Sequence, residues 1–234
     1  MLFHLPKPDA MTPTSLTLCH KTLSFFPAAD FSANHPLLLS FLEAGEAAEF
    51  AALLPVSINL LVLHEPDWEA SFSPWPAPKA FKSAPDFSGG ADAYLTLLDE
   101  HILPEAFDTL SLTPVWQGLA GYSLGGLFAL YAACKSRRFS RTASVSGSLW
   151  FDGWLEWMQQ NPPAALPQKA YFSVGDNEAR SKNPRMAVVE TNTRAAAECW
   201  QTLGIRTTFE LNPGGHFEAV PQRMAKAAAW LLAD

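Results

Sequence analysis

The sequence predicts an α/β protein with a mostly parallel central sheet covered by helices on both faces. Strand-like and helical segments alternate along the chain, which is typical of a parallel sheet with helical crossovers. Several strand segments are almost continuously apolar, as expected for a sheet that is buried on two faces. The length of 234 residues suits one large α/β unit. Since we find no repeat and no linker, we expect a single domain over residues 1–234.

The elements follow in order after an irregular lead-in at residues 1–14, which contains three prolines. Strands are predicted at residues 15–26, 37–42, 57–63, 115–120, 141–145, 170–174 and 205–211. Residues 37–42 and 57–63 are short and almost continuously apolar, while 15–26 shows a patchy alternation. Helical segments show an apolar spacing of three and four and are predicted at residues 46–54, 91–107, 126–138, 186–203 and 221–232. Residues 64–90 are predicted to form a Pro/aromatic-rich loop, which is long for a compact domain.

Composition and charge exclude several classes of function. Sixteen basic and 23 acidic residues give a net charge of −7 without any basic run, so we expect no nucleic-acid partner. Three distant cysteines form neither a disulfide framework nor a zinc pattern. The N-terminus has no secretion-signal pattern, and the uncharged stretch 109–134 is better explained as strand, turn and helix than as a membrane span. We therefore expect a cytoplasmic protein without a membrane partner.

The strongest motif is GYSLG at residues 121–125, which fits the pattern G-x-S-x-G. An apolar strand precedes it and a helix follows, the setting in which this pattern forms a nucleophile elbow. Ser123 would stand on the tight turn, with a glycine two residues away on either side because larger residues would clash. The helix that follows would direct free amides, including that of Leu124, toward a developing oxyanion.

A serine nucleophile needs a base and an acid that follow it in the chain order of such hydrolases. His216 is the histidine that follows Ser123, and it lies in a glycine-rich loop after the last strand. The acid is expected after the preceding strand, where GDNE at residues 175–178 offers both Asp176 and Glu178. Either carboxylate could orient the imidazole.

Structural explanations compete with these interpretations. The motif could be an ordinary strand-to-helix turn with Ser123 as the N-cap, and His216 an exposed loop residue. His64, Glu65, Asp67 and Glu69 lack an established ligand spacing, so we expect a solvated loop and no metal site. The aromatic side chains of residues 64–90 could pack on the sheet or line a substrate pocket. Trp150 could likewise belong to the core or to the same pocket.

Four segments resemble a known family. The sequence GYSLGGLFALY at residues 121–131 resembles the nucleophile segment of the esterase-D-like branch of the α/β-hydrolases. The segments GGADAY (89–94), SGSLW (146–150) and PGGHF (213–217) resemble segments of its trilactone siderophore esterases, which hydrolyse enterobactin- and salmochelin-type esters. The resemblance covers residues 36–232 and implies the α/β-hydrolase fold.

The resemblance also implies roles for individual residues. Ser123 would be the nucleophile, His216 the base and Glu178 the acid, although some siderophore esterases are described as Ser–His dyads. The family has Asp-Gly at the second oxyanion donor, whereas this chain has Glu43-Ala44-Gly45, which leaves the amide of Ala44 or Gly45 for that role. We expect Tyr122 and Trp150 to contact the substrate.

The loop after the second buried strand departs from the family pattern. Related siderophore esterases have arginine there, but residues 64–78 contain neither Arg nor Lys. Five cations elsewhere could serve an anionic substrate or be ordinary solvated charges: Lys79, Lys82, Arg180, Lys182 and Arg185.

Together these observations predict a serine esterase that cleaves a small-molecule carboxylic ester through an acyl-enzyme, without a cofactor. Siderophore trilactones are one possible substrate class. A thioesterase or an acyltransferase would use the same residues. A non-catalytic binding module on the same fold is the alternative outside enzymes.

Overall fold

The structure is a computed structural model that describes residues 13–233. The strands of this part, in chain order, are β1 (Thr14–Leu18), β2 (Lys21–Phe26), β3 (Leu37–Phe41), β4 (Asn59–His64), β5 (Pro76–Ala77), β6 (Phe87–Ser88), β7 (Gln117–Tyr122), β8 (Arg141–Val145), β9 (Lys169–Gly175) and β10 (Arg206–Asn212). The main sheet has eight strands in the order β1-β2-β4-β3-β7-β8-β9-β10. All neighbours from β4 to β10 in this order are parallel, while β1 and β2 pair antiparallel, which confirms the predicted mostly parallel sheet.

The helices of the described part connect these strands. They are α1 (Ala44–Ala52), α2 (Trp68–Ser71), α3 (Ala91–Leu97), α4 (Leu103–Leu110), α5 (Leu124–Lys135), α6 (Trp154–Gln160), α7 (Pro184–Ala187), α8 (Val189–Thr202) and α9 (Val220–Leu232). Helices α1 and α9 contact one face of the sheet, and α5 and α8 contact strands from the other face. The prediction of helices on both faces is therefore confirmed. None of the helices within residues 13–233 has both the length and the apolar character needed to cross a membrane.

Two apolar cores result from the alternation of side chains along the strands. In β3, Leu37 and Leu39 pack in the core under α5, while Leu38 packs in the core under α1 and α9. In β9, Phe172 packs in the core under α5 and Tyr171 packs in the core under α1 and α9. Since both faces are buried, a polar residue is not needed at every second position, and the strands read as continuous apolar runs.

Several elements differ from the sequence predictions. The strand expected at residues 15–26 is a hairpin, because Cys19 and His20 both have positive φ and reverse the chain between β1 and β2. Thr14 already belongs to β1, and the rest of the predicted lead-in up to residue 12 lies outside the described residues. The loop at residues 64–90 contains α2 and the small β5–β6 sheet.

Helical predictions also need correction. The helix expected at residues 91–107 extends to Leu110 and passes through a π-helical segment, Leu98–Ile102, just before Pro104. Proline has no N–H for the regular ladder, and a π segment accommodates such a defect. The helix expected at residues 186–203 is divided into α7 and α8, and α6 was not predicted. The single domain over residues 1–234 stays a prediction.

Candidate active site

Ser123 occupies the sharp turn between β7 and α5. Its backbone has φ 54° and ψ −123°, and a positive φ is strained for a residue with a side chain. Two backbone bonds maintain it: the Ser123 amide donates to the carbonyl of Val145, and the Ser148 amide donates to the carbonyl of Ser123. Ser123 does occupy the N-cap position of α5, but its side chain makes no capping hydrogen bond to the helix and is free for another role.

The glycines around this turn are not equivalent. A Cβ at Gly121 would lie 2.0 Å from the backbone oxygen of Gly125, and one at Gly126 would lie 2.9 Å from the backbone oxygen of Gly121. A Cβ at Gly125 would approach nothing closer than 3.6 Å. The tight contacts therefore require Gly121 and Gly126, and not Gly125 as the motif suggested.

Three side chains form a hydrogen-bonded chain above the turn, which we call the candidate triad. His216 Nε2 lies 3.0 Å from Ser123 Oγ, and His216 Nδ1 lies 2.6 Å from Glu178 Oε2. His216 comes from the loop between β10 and α9, and Glu178 follows β9. The carboxyl ends of three parallel strands thus bring the three residues together at one edge of the sheet.

The two carboxylates after β9 have different partners. Glu178 contacts His216, whereas Asp176 accepts a hydrogen bond from the Gly214 amide at 2.9 Å and is exposed. Burial alone would raise the pKa of Glu178. The hydrogen bond and charge of His216, together with the Gly175 amide, outweigh burial and place the pKa below its ordinary value. Glu178 is therefore positioned as an anion beside the imidazole.

A buried arginine, absent from the sequence-based site, supports the candidate triad from behind. Nη1 of Arg223 lies 3.3 Å from Glu178 Oε1 and also donates to Tyr122 Oη at 3.1 Å. Its Nη2 donates to the carbonyl of Pro213, and the Tyr122 hydroxyl donates to the carbonyl of His216 at 2.6 Å. One arginine thus joins the acid, the histidine loop and the end of β7.

The signal for Arg223 was present in the sequence. Helix α9 buries Val220, Met224 and Ala227, and Arg223 falls on the same face by helical spacing. A cation on an apolar stripe needs a buried partner, because an isolated buried charge is costly. The helical pattern was identified, but this exception within it was not.

The predicted oxyanion donors lie at the start of two helices. Leu124 begins α5 directly after Ser123, and the first amides of a helix have no partner within it. Ala44 begins α1, in the loop region after β3. The cavity beside Ser123, described next, is lined in this region by Leu42 and Glu43, and Ala44 does not line it. The oxyanion role of Ala44 stays a prediction.

A cavity of about 350 Å³, which we call the main cavity, opens beside the candidate triad. Ser123 and His216 line it. Its aromatic lining residues are Trp68, Phe81, Phe87, Tyr122, Trp150 and Phe217. The two predicted substrate contacts, Tyr122 and Trp150, are thus in the lining, and residues 64–90 contribute both core packing and cavity wall. Phe72 from this segment is fully buried in the core.

The residues at 64–69 are only partly solvated, and Asp67 is exposed as expected. Glu65 is only 4% exposed and pairs with Lys21, and His64 lies between Ser24 Oγ and the carbonyl of Leu42. The expectation of a solvated loop is therefore wrong for these two residues, because hydrogen bonds to β2 and to the end of β3 hold them in place. Within residues 13–233 no group of three His, Cys, Asp or Glu side chains is arranged to hold a metal ion.

The five cations considered for an anionic substrate lie outside the main cavity. None of Lys79, Lys82, Arg180, Lys182 and Arg185 lines it. Arg185 is engaged elsewhere, since it forms two hydrogen bonds with the Asp152 carboxylate and donates to the carbonyls of Pro78 and Lys79.

Comparison with known proteins places this geometry in context. The model of a family described as "Putative esterase" matches residues 29–220. A curated protein of Bacillus subtilis (strain 168), "Uncharacterized protein YbbA", is 28% identical over 160 residues, which are 67% of this chain and 64% of that protein. The chain thus spans slightly less than two thirds of the length of this relative.

Solved structures share the architecture at low sequence identity. An IroE-like serine hydrolase from Shewanella oneidensis has a TM-score of 0.76 at 16% identity, covering 94% of this chain and 78% of that one. The siderophore hydrolase EstA from Aspergillus nidulans has a TM-score of 0.70 at 16% identity, covering 99% and 98%. The enterochelin esterase from Shigella flexneri has a TM-score of 0.70 at 18% identity, covering 97% and 60%. These likenesses confirm the predicted α/β-hydrolase fold.

Proposed function

The chain belongs to the esterase family whose model matches residues 29–220, and from that premise we propose that it hydrolyses carboxylic esters through an acyl-enzyme formed on Ser123. The observation that carries the proposal is the continuous hydrogen-bonded path from Ser123 Oγ through the His216 ring to Glu178. A nucleophile, a base and an orienting acid within hydrogen-bond distance form the arrangement used for acyl transfer.

In the proposed reaction, His216 Nε2 takes the proton of Ser123 Oγ as this oxygen attacks the ester carbonyl. The carbonyl oxygen gains negative charge, which the amide of Leu124 and a second amide from the region after β3 stabilise. The tetrahedral intermediate collapses, and the alcohol leaves with the proton from His216. A water molecule then attacks the acyl-enzyme and gives a proton to His216. As the second tetrahedral intermediate collapses, His216 returns this proton to Ser123 Oγ, and the carboxylic acid is released.

Glu178 keeps one role throughout this cycle. Its Oε2 accepts a hydrogen bond from the Nδ1–H of His216, which leaves Nε2 facing the serine. The lowered pKa of Glu178 keeps the carboxylate ionised while the imidazole becomes positively charged. The residue therefore stabilises the imidazolium without taking the proton itself.

For the substrate, a small-molecule ester is the broad proposal, and siderophore-type trilactones are a specific candidate. The support is that several proteins of the same fold are named as siderophore hydrolases or enterochelin esterases. The aromatic lining of the main cavity suits an aromatic acyl group. The cytoplasmic location stays a prediction from the sequence.

The test is intact-mass analysis after treatment with a fluorophosphonate. We expect one adduct on the wild-type protein and none on Ser123→Ala. Ser148→Ala is the matched control, because its Oγ lies 3.4 Å from Ser123 Oγ and is the nearest competing hydroxyl. An adduct that persists on Ser123→Ala, or no adduct on folded wild-type protein, would refute the proposal.

A further inference from the structure

Three carboxylates line the main cavity together with the aromatic side chains. Glu43 and Glu46 come from the start of α1, and Glu69 comes from α2. None of the ion pairs within residues 13–233 includes any of these three residues. Their negative charge is therefore not neutralised by a neighbouring Lys or Arg.

The surroundings of Glu46 are acidic. Its pKa is raised first by burial and then by the carboxylates of Glu43 and Glu49. Two acidic groups thus influence each other where α1 faces the main cavity. A further negative charge brought into this space would experience the same repulsion.

No positive side chain compensates for this charge. Of the described residues, no Lys or Arg lines the main cavity. The Arg185 guanidinium lies 5.7 Å from the centre of the Trp150 ring, but its charge is paired with Asp152. Arg223 is 3% exposed and pairs with Glu178, and His216 is the candidate base.

The size and lining of the main cavity suit an aromatic ligand. Its volume of about 350 Å³ is in the range of small-molecule sites, and a neighbouring cavity of about 240 Å³ shares Trp150, His216 and Phe217 with it. The space therefore accommodates an aryl group beside Ser123. Phe81 and Phe217 are 50% and 85% exposed and line the same space, so apolar surface is available to an aromatic ligand.

We propose that the main cavity is specific for aromatic esters without negative charge, and that Glu43, Glu46 and Glu69 reject anionic substrates. Siderophore-type trilactones then fit the cavity in an uncharged form and not as an anionic metal complex. The proposal rests on the proposed esterase function. Each carboxylate contributes a modest repulsion at the distances of a solvated cavity, and three together give about a tenfold discrimination. Cationic aromatic esters are attracted by the same charges.

The experiment compares three 4-nitrophenyl esters of similar shape at pH 8 and low ionic strength. Their acyl groups are 3-phenylpropanoyl groups that carry a para-carbamoyl, a para-carboxylate or a para-aminomethyl substituent. We expect kcat/KM for the neutral ester to exceed that for the anionic ester by about tenfold, and the cationic ester to react at least as well as the neutral one. The difference should shrink with added salt, because screening weakens exposed charges.

Variants assign the effect to the cavity. In Glu46→Gln/Glu69→Gln we expect the ratio of neutral to anionic kcat/KM to fall at least threefold, about what two of the three repulsive charges contribute. Glu156→Gln is the control, since Glu156 is an exposed acid on α6 that does not line the main cavity. It should leave the ratio within the error of the measurement.

Two results overturn the inference: equal rates for neutral and anionic esters, or a ratio unchanged by the double variant. Fluorophosphonate labelling of Ser123 in the same preparation distinguishes failure of the charge selectivity from failure of the esterase function. Labelled protein without charge selection overturns the specificity alone. Folded protein that takes no label and cleaves none of the esters overturns the proposed function as well.

Discussion

Nη1 of Arg223 lies 3.3 Å from Oε1 of Glu178, and the two side chains are only 3% and 5% exposed. The other carboxylate oxygen, Oε2, faces His216 at 2.6 Å. The cation and the imidazole thus contact opposite oxygens of one buried carboxylate. Because Arg223 also bonds to Tyr122 and Pro213, the orientation of the acid depends on a residue that contacts no substrate. Arg223 is in this sense a positioning residue.

Replacing Arg223 is expected to reduce both stability and turnover. Arg223→Met leaves the Glu178 charge buried with fewer partners, and breaking such a pair costs about 3–5 kcal/mol. We expect urea unfolding to show this loss. In the protein that remains folded, kcat should fall. The pH of half-maximal activity should rise, because the negative charge of Glu178, no longer offset by Arg223, stabilises the protonated imidazole.

Two comparisons distinguish positioning from general destabilisation. Arg223→Lys keeps the charge but lacks the planar group that reaches several acceptors, so only part of kcat should return. Arg137→Met removes an exposed arginine and should change neither property. If Arg223→Met merely lowers the folded fraction while its pH profile stays in place, the positioning role is wrong.

The two carboxylates after β9 should differ sharply in their effect on catalysis. The side chain of Glu178→Gln has no negative charge to hold the Nδ1–H hydrogen bond and stabilise the imidazolium, and losses of about 10⁴-fold in kcat are known for the analogous change in a serine protease triad. Asp176→Asn retains an oxygen that can accept from the Gly214 amide, so we expect a change of less than about threefold. Steady-state kinetics with 4-nitrophenyl acetate measures both. High activity in Glu178→Gln would instead favour a Ser–His dyad.

Acid should destabilise the protein partly through Glu178. Its pKa is lowered in the folded state, so its ionisation stabilises the fold above the unfolded pKa of about 4.3 and this contribution is lost as pH falls through the folded value. The urea midpoint of the wild type should therefore drop more steeply between pH 6 and pH 3 than that of Glu178→Gln. Glu49→Gln should follow the wild type, and parallel curves for all three proteins would contradict the assignment.

Much of this fold was predictable because both faces of the sheet are buried. The strand Leu37–Phe41 reads as a short apolar run, and its predicted bounds differ by one residue from the structure. The strand Arg141–Val145 has the predicted bounds, although only Ala143 and Val145 in it are apolar. The hairpin between β1 and β2 was not predicted, since its turn uses Cys19 and His20 at positive φ in place of the glycine or asparagine typical of such turns.

The candidate site was predictable where chain order limits the choices. A histidine after Ser123 could only be His216, and the loop after β9 restricted the acid to two residues. Arg223 and the cavity carboxylates were not found, because their roles depend on neighbours that are distant in sequence. Glu69, for example, meets Glu43 and Glu46 across the main cavity only after α1 and α2 have packed beside the sheet.

The glycines of the nucleophile turn provide a final prediction. In Gly121→Ala the new Cβ would lie 2.0 Å from the backbone oxygen of Gly125, a position that no side-chain rotation can relieve. We expect a loss of about 1–3 kcal/mol or more in stability, and a fall in kcat, because the backbone that presents Ser123 must shift.

Gly125→Ala is the matched variant within the same motif. Its Cβ would meet only ordinary contacts at 3.6 Å with Phe41 and Trp68, so helix propensity should make it neutral or up to about 1 kcal/mol stabilising. Urea unfolding and fluorophosphonate labelling rates compare the two, and equal damage from both substitutions would show that the turn is constrained differently from the contacts described.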